Sequence, residues 1–328
     1  MENPINKKKC EVFCANDELE ASDLEFLEEV GLHFNDYSRL LDADKVSSLL
    51  PKRKRNSHKG TYGRAAIVAG SARYTGAAYL ATAACLRAGA GYTALFTPSG
   101  ILPHYMLKTP EALLCPICEG SDLVFNEENF VALLSYDSIA YGMGMGVSKD
   151  VADGARYLLE KYAGKLIIDA DGLNSLAKYE RENFQALFCN KKCDVVLTPH
   201  VKEFSRLSGK KTEEIIKDGL FAATDFASKY AVNVLLKNAV SIITNGREVL
   251  LNTAGTPGQA KGGSGDVLSG AIAGLCASGL STFDGACAAA YVVGKAAELA
   301  CEKISTYSLI ATDVIAYMGA SFLKIIGE

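Results

Sequence analysis

Short apolar runs that end in glycine or acidic loops, each followed by a helical pattern, recur along this chain. Ala65–Ala69 ends at Gly70-Ser71, and Gly76 opens an alanine-rich helix to about Arg87. Ser138–Tyr141 leads into Gly142-Met143-Gly144-Met145-Gly146 and a helix from about Asp150 to Tyr162. Lys165–Ile168 ends in Asp169-Ala170-Asp171-Gly172-Leu173, and Asp194–Leu197 ends in Thr198-Pro199-His200. A long helix is expected over Thr212 to about Tyr230, then a strand Val232–Leu236 that ends at Lys237. Strand, loop and helix in this succession predict an α/β fold: a mostly parallel central sheet with helices on both faces. Right-handed crossovers then bring the loops together at the C-terminal edge of the sheet, where open α/β sheets bind ligands. A further strand is read at Tyr92–Phe96, and a hairpin of Val240–Thr244 with Glu248–Leu251 around Asn245-Gly246. Two helices close the chain, near Thr282–Glu302 and Ser308–Leu323, while residues 100–135 show no readable period.

The loop most suited to chemistry is Gly255-Thr256-Pro257-Gly258-Gln259-Ala260-Lys261-Gly262-Gly263-Ser264-Gly265-Asp266. Val267, Leu268, Ala271, Ile272, Leu275 and Cys276 follow at helical spacing, so glycine-rich backbone runs into the first turn of an apolar helix. Glycines let main-chain N–H groups converge, and a helix start adds unpaired N–H groups and partial positive charge. That combination suits phosphate oxygens. Asp266 on its rim would repel a bound phosphate unless it takes a proton from a hydroxyl that accepts a phosphoryl group. The plainer alternative is that Asp266 caps the helix. Lys237 at a strand edge can reach a phosphate as a point charge. His200 reads either as a ligand-facing residue or as a hydrogen-bonded structural histidine, and Asp171 either as a site acid or as a helix cap.

Composition bounds the alternatives. With 328 residues, 49% of them apolar, the chain can build a sizeable core, and its net charge of −4 argues against a nucleic-acid binder. Ten cysteines are scattered; Cys115-Pro-Ile-Cys118 is formally a C-x-x-C pair, but no second pair or nearby histidine completes a zinc set, and no metal ligand set is assigned. The N-terminal residues lack the apolar run of a signal peptide, and no uninterrupted apolar stretch is long enough to span a membrane, so a cytoplasmic protein is expected. Residues 1–41 are expected to form an acidic extension, disordered or partly helical, because residues 16–30 carry seven acids and no base. Lys52-Arg53-Lys54-Arg55 reads as a solvated turn, or as a cluster that draws a polyanionic substrate toward a cleft. No GxxxxGK[ST], GxSxG or HExxH occurs, and Gly142–Gly146 is GxGxG rather than the dinucleotide GxGxxG.

The order HKGTYG, VAGS, GAG, GMGMG, DADGL, LTPHVKEF and GGSGDVLSGAIAGL resembles the ADP/ATP-dependent NAD(P)H-hydrate dehydratases of the ribokinase-like superfamily. The resemblance covers about residues 42–328, including Ala311-Thr312-Asp313. It implies a ribokinase-like three-layer catalytic domain over 42–328. It also implies a repair reaction in which the hydroxyl of hydrated NADH or NADPH (the S epimer) is phosphorylated by ADP or ATP and phosphate then leaves. Mg²⁺ is implied alongside the nucleotide. Carried over by motif, Ala77, Gly146, His200 and Asp266 contact the hydrated dinucleotide, with Asp266 the catalytic base. Lys237, Asn238, Ala239, Val240 and Ser241, with Gly263, Ser264 and Gly265, contact the nucleotide.

This chain departs from the family pattern at Asn238, where a glycine is usual, and at Met143 and Met145. A homo-oligomer is expected, and dehydratase activity without the epimerase activity to which this domain is often fused. The competing readings are a small-molecule alcohol kinase of the same superfamily and a nucleotide-binding protein without activity. An ordinary dehydrogenase lacks support, because no early GxGxxG is present.

Overall fold

The inner strands of the central sheet are near-continuous apolar runs, buried on both faces. The protein is described by a computed structural model covering residues 38–327. Its strands are β1 (Ser38–Leu40), β2 (Arg64–Val68), β3 (Tyr92–Thr97), β4 (Leu113–Pro116), β5 (Ser138–Tyr141), β6 (Lys165–Ile168), β7 (Asp194–Leu197), β8 (Asn233–Leu236), β9 (Ser241–Thr244) and β10 (Val249–Asn252). Its helices are α1 (Ala43–Leu49), α2 (Thr75–Arg87), α3 (Glu127–Phe130), α4 (Lys149–Lys161), α5 (Ala170–Tyr179), α6 (Phe184–Cys189), α7 (Val201–Ser208), α8 (Thr212–Lys217), α9 (Gly219–Tyr230), α10 (Ser264–Ala277), α11 (Thr282–Cys301) and α12 (Ala311–Ile326). Among the described residues the strands form one sheet in the order β1-β10-β9-β8-β7-β6-β5-β2-β3-β4. Only β9 runs antiparallel to its neighbours.

Alternate residues of each strand feed two cores. Ile67, Leu95, Ala140, Ile167, Val196 and Leu235 face α2, α10, α11 and α12. Val68, Phe96, Tyr141, Ile168, Leu197 and Leu236 face the layer containing α4 to α7 and α9. The mostly parallel three-layer expectation is therefore met, and the hairpin forms as β9 and β10, with Gly246 at φ 84° and Asn245 Oδ1 accepting from the Arg247 and Glu248 N–H groups.

Three elements differ from expectation. The helix expected over 212–230 is broken at Asp218 (φ −146°, ψ 53°), so that α8 and α9 pack separately. The stretch 100–135 holds β4, an edge strand whose last residue is Pro116, which is where a sheet tolerates proline. Ser38–Leu40, assigned to the extension, adds a strand parallel to β10. The helix expected within residues 16–30 lies outside the described residues.

Lys52–Arg55 sits far from the loops at the C-terminal strand ends. Arg53 stacks on Tyr62, and its guanidinium donates to the Gly89 carbonyl just before β3 begins. The segment therefore lies at the N-terminal edge of the sheet and does not draw a substrate into the cleft at the other edge. The HKGTYG motif lies at this edge too: a Cβ on Gly91 would fall 1.7 Å from the Lys59 carbonyl oxygen, so that motif closes the bottom of the fold.

Helices α2 and α10 approach closely because of small residues. A Cβ on Gly270 would lie 2.0 Å from the Ala81 carbonyl oxygen, and one on Gly274 would lie 2.6 Å from that of Cys85. Backbone cannot swing aside as a side chain can. Gly270→Ala is expected to destabilise by about 2 kcal/mol or more. Gly319→Ala, in open space on α12, should instead stabilise by up to about 1 kcal/mol. Urea denaturation of the two variants measures both, and equal effects would contradict the close packing.

Candidate active site

Helix α10 starts at Ser264, and its N-cap is Gly263, held at φ 96° where glycine is favoured. No side chain caps this helix, so Asp266 is not a cap; it lies in the first turn. Among the described residues, the N–H groups of Gly263, Ser264, Gly265 and Asp266 donate to no protein acceptor. Four free donors at the positive end of a 14-residue helix are chemically suited to an anion.

A cavity of about 1170 Å³ opens over this helix start. Its wall includes Asp169 and Ala170 from the end of β6, His200 and Glu203 after β7, Lys237, Asn238 and Ala239 after β8, and the loop from Asn252 to Asp266. Ordinary small-molecule pockets run to roughly 300–1,000 Å³, so this one lies at the large end of that range.

Lys237 organises the floor. A parallel bridge between His200 and Lys237, with the Lys237 N–H donating to Pro199 at 2.8 Å, sets the two side chains beside each other. Lys237 Nζ donates to Asp169 Oδ1 at 2.7 Å and lies 4.0 Å from Glu203 Oε2. Asp169, only 1% exposed, accepts a second bond from Ser269 Oγ of α10, also at 2.7 Å. Gly265 leaves the space for this ammonium, since a Cβ there would sit 3.3 Å from Lys237 Nζ. Burial alone would lower the lysine's pKa, but Asp169 and Glu203 outweigh it and hold the ammonium charged. The residue after Asp169, Ala170, takes a left-handed φ of 50°, which costs a non-glycine residue about 1 kcal/mol or more.

The carboxylates around this lysine outnumber it. Burial, then the nearby Asp169 charge, pushes the Asp266 carboxyl up to about 7, and burial likewise pushes Glu203 up to about 7. Among the described residues no hydrogen bond is donated to the Asp266 carboxyl, so it faces the cavity as a free base or acid near neutral pH. His200 is a hydrogen-bonded structural histidine that also lines the cavity. It caps α7, its Nδ1 accepting from the Lys202 and Glu203 N–H groups at 3.1 and 3.2 Å. That leaves the proton on Nε2, which lies 3.4 Å from Glu203 Oε1, and burial lowers its pKa, keeping it neutral. Asp171 does not cap its helix with its side chain either; its Oδ2 accepts from the Gly146 N–H at 2.8 Å.

The residues expected to contact nucleotide divide. Lys237, Asn238, Ala239, Ser241, Gly263, Ser264 and Gly265 line the cavity. Val240 is buried and faces a small recess with Ile215, Leu236, Ile242 and Asn238. Gly146, after β5, lies one strand along from β6, and Ala77, on α2 after β2, lies two strands along; neither is on the cavity wall. A Cβ on Gly144 would be 2.7 Å from Ala77 Cβ, and Gly146 is tied through Asp171 to the β6 loop. Asp169 was visible in the sequence only as one of two strand-end acids, and Glu203 only as a helix residue. Their shared signal is an acid placed just after an apolar strand or its first turn. Cys115 and Cys118 are free thiols with pKa values raised by burial, and among the described residues no group of three histidine, cysteine or acidic side chains is placed to hold a metal.

Comparison with known proteins matches residues 65–319 to the family of NAD(P)H-hydrate dehydratases. The chain belongs to this family. It is 34% identical over 302 residues to the bifunctional NAD(P)H-hydrate repair enzyme Nnr of Thermofilum pendens, a match covering 88% of the chain and 57% of that relative. The chain spans about half the length of such bifunctional relatives. The ADP-dependent (S)-NAD(P)H-hydrate dehydratase of Listeria monocytogenes is 30% identical, over 85% of the chain and 94% of its own length. Among solved structures, the ADP/ATP-dependent NAD(P)H-hydrate dehydratase of Bacillus subtilis, co-crystallised with ATP and Mg²⁺, superposes with a TM-score of 0.74 at 28% identity, covering 87% of the chain and 98% of its own. The expected ribokinase-like family and fold are thus found.

The raised Asp266 pKa has a measurable consequence for stability. Its folded value, about 7, exceeds the ordinary value of 3.8, so the folded protein holds a proton there that the unfolded chain has released. The stabilisation this gives is fully present below about pH 4 and is lost as pH rises through about 7. Asp266→Asn, neutral at every pH, should therefore be more stable than the parent at pH 8, by on the order of 2–4 kcal/mol, and level with it near pH 4. Thermal melts across this range test it; a pH-independent difference would mean that the carboxyl is not buried as described.

Proposed function

We propose that this protein dehydrates the S epimer of hydrated NADH or NADPH at the expense of ADP or ATP. The observation that carries the reading is a helix start with free N–H donors at α10 and an unengaged carboxyl in its first turn, on the wall of a cavity of about 1170 Å³. Hydroxide is a poor leaving group and phosphate a good one, so phosphorylating the ring hydroxyl makes elimination feasible.

In this account the terminal phosphate of the nucleotide lies against the amides of Gly263, Ser264 and Gly265, and Lys237 to Ser241 border the rest of the nucleotide. Asp266, as carboxylate, accepts the proton of the ring hydroxyl as its oxygen attacks the phosphoryl group. The helix-start amides take up the charge that builds on the transferring oxygens. Neutral His200, with its proton on Nε2, is a donor toward the substrate. Ala77 and Gly146 border the dinucleotide. The C6–O bond then breaks with its electrons on phosphate, a ring proton leaves C5, and NAD(P)H, phosphate and AMP or ADP result.

Asn238 adds a side chain where the family usually has glycine, and so narrows the nucleotide end of the cavity. The reading implies Mg²⁺ arriving with the nucleotide. Such an ion takes hard oxygen ligands, commonly phosphate, water and one or two carboxylates. Asp169 is taken by Lys237 and Ser269, so phosphate and water would supply most of its ligands and Glu203 on the wall would add a carboxylate, the ion neutralising phosphate charge.

Incubation with chemically hydrated NADH, ADP and Mg²⁺ tests the reading. NADH absorbance should return, with AMP and phosphate formed in equal amounts. Asp266→Asn should keep nucleotide binding and lose about 10²–10⁴-fold in turnover. Accumulation of a stable phosphorylated alcohol would instead make the protein a kinase, and near-normal turnover by the variant would remove Asp266 from the mechanism.

A further inference from the structure

Three arginines of this fold stack on tyrosine rings, and two of them are otherwise engaged. Arg53, over Tyr62, donates to the Gly89 carbonyl, and Arg64, over Tyr136, donates to that of Ser135. The third, Arg73, lies over Tyr74 at 5.5 Å from the ring centroid. Both residues are exposed, Tyr74 by 46%, and among the described residues the Arg73 guanidinium makes no hydrogen bond or ion pair. A guanidinium laid on an open ring, with its donor fork unused, can take a phosphate while the ring takes a base.

Its position gives the pair a context. Tyr74 immediately precedes α2, the helix that carries Ala77. A Cβ on Gly144 would lie 2.8 Å from Tyr74 Cβ and 2.7 Å from Ala77 Cβ, so the pair abuts the glycine loop after β5. That loop is tied through Gly146 and Asp171 to Asp169 and Ala170 on the cavity wall. Ala77 and Gly146 are not on the cavity wall, so a dinucleotide that touches them while its nicotinamide end reaches Asp266 passes out of the cavity at this corner.

We propose that Arg73 and Tyr74 form a subsite for the adenylate half of the hydrated dinucleotide, the ring stacking on the purine and the guanidinium contacting a phosphate. This rests on the dehydratase reading. Two phosphates share the chemistry: the 2′-phosphate that only the NADPH hydrate carries, and the pyrophosphate common to both hydrates.

The test compares the wild type with Arg73→Ala and Tyr74→Ala on both hydrates. Arg73→Ala is expected to raise KM about tenfold with kcat little changed. A rise for the NADPH hydrate alone assigns the 2′-phosphate, and an equal rise for both assigns the pyrophosphate. Tyr74→Ala should raise both. The KM for ADP should stay unchanged in each variant, and melting curves should match the wild type, because both side chains are exposed. Unchanged KM values for both hydrates, a change confined to ADP, or a changed oligomeric state in place of a changed KM would overturn the proposal. Fluorescence titration with the products NADH and NADPH gives a readout independent of turnover. Weakened product binding in Arg73→Ala supports the subsite even if the wild type proves inactive, an outcome that would sink the dehydratase reading alone; equal product binding overturns the subsite.

Discussion

One buried ion pair joins the parts of this site. Lys237 leaves β8, Asp169 leaves β6, and Ser269 belongs to α10; their contacts, each 2.7 Å, pin the helix start over the strand ends. A pair like this is weak evidence for stability, since desolvation offsets most of the attraction, but removing one partner leaves an uncompensated charge and typically costs about 3–5 kcal/mol. Its consequence is positional. One Lys237 faces Asp169, Glu203 and Asp266, and burial outweighs its attraction and lifts Asp266 and Glu203 toward neutrality. The same device that fixes the geometry thus tunes the base.

The second constraint is the glycine seam between α2 and α10. It lets two backbones touch and so fixes the axis of α10, which decides where the free amides of Gly263 to Asp266 point. Glycine is required at Gly263 for a different reason, a left-handed φ that turns the loop into the helix without any side chain reaching back to cap it. An uncapped helix start inside a fold is an unfavourable arrangement unless something else satisfies the donors. Those donors belong to residues on the cavity wall, and on the proposed reading a phosphate satisfies them.

Much of this was legible from residue order. Apolar runs such as Ile167 to Ile168 and Val195 to Leu197, each stopped by an acid or a proline, fix both strand position and the edge at which the loops gather. Lys237 and Asp266 could be picked out because a charge at the end of an apolar pattern has few structural reasons to be there. Other features depend on contacts that a linear reading lacks. The break at Asp218 interrupts a pattern that looks helical on both sides. Strand β1 is too short to announce itself, and exists only because β10 offers an edge. Glu203 looks like an ordinary surface acid of α7 until the bridge of His200 to Lys237 closes over it. Lys52–Arg55 shows the converse: a conspicuous charge run at the edge of the sheet opposite the site, where topology and not charge decides its role.

A crystal structure with ADP and a fluoride mimic of the transferring phosphoryl group shows directly where that group rests. The account predicts the mimic within about 2.7–3.1 Å of the amide nitrogens of Gly263, Ser264 or Gly265, with the Asp266 carboxyl facing the side from which the alcohol attacks. A mimic bound elsewhere in the cavity, with those amides unoccupied or turned onto protein, would contradict it.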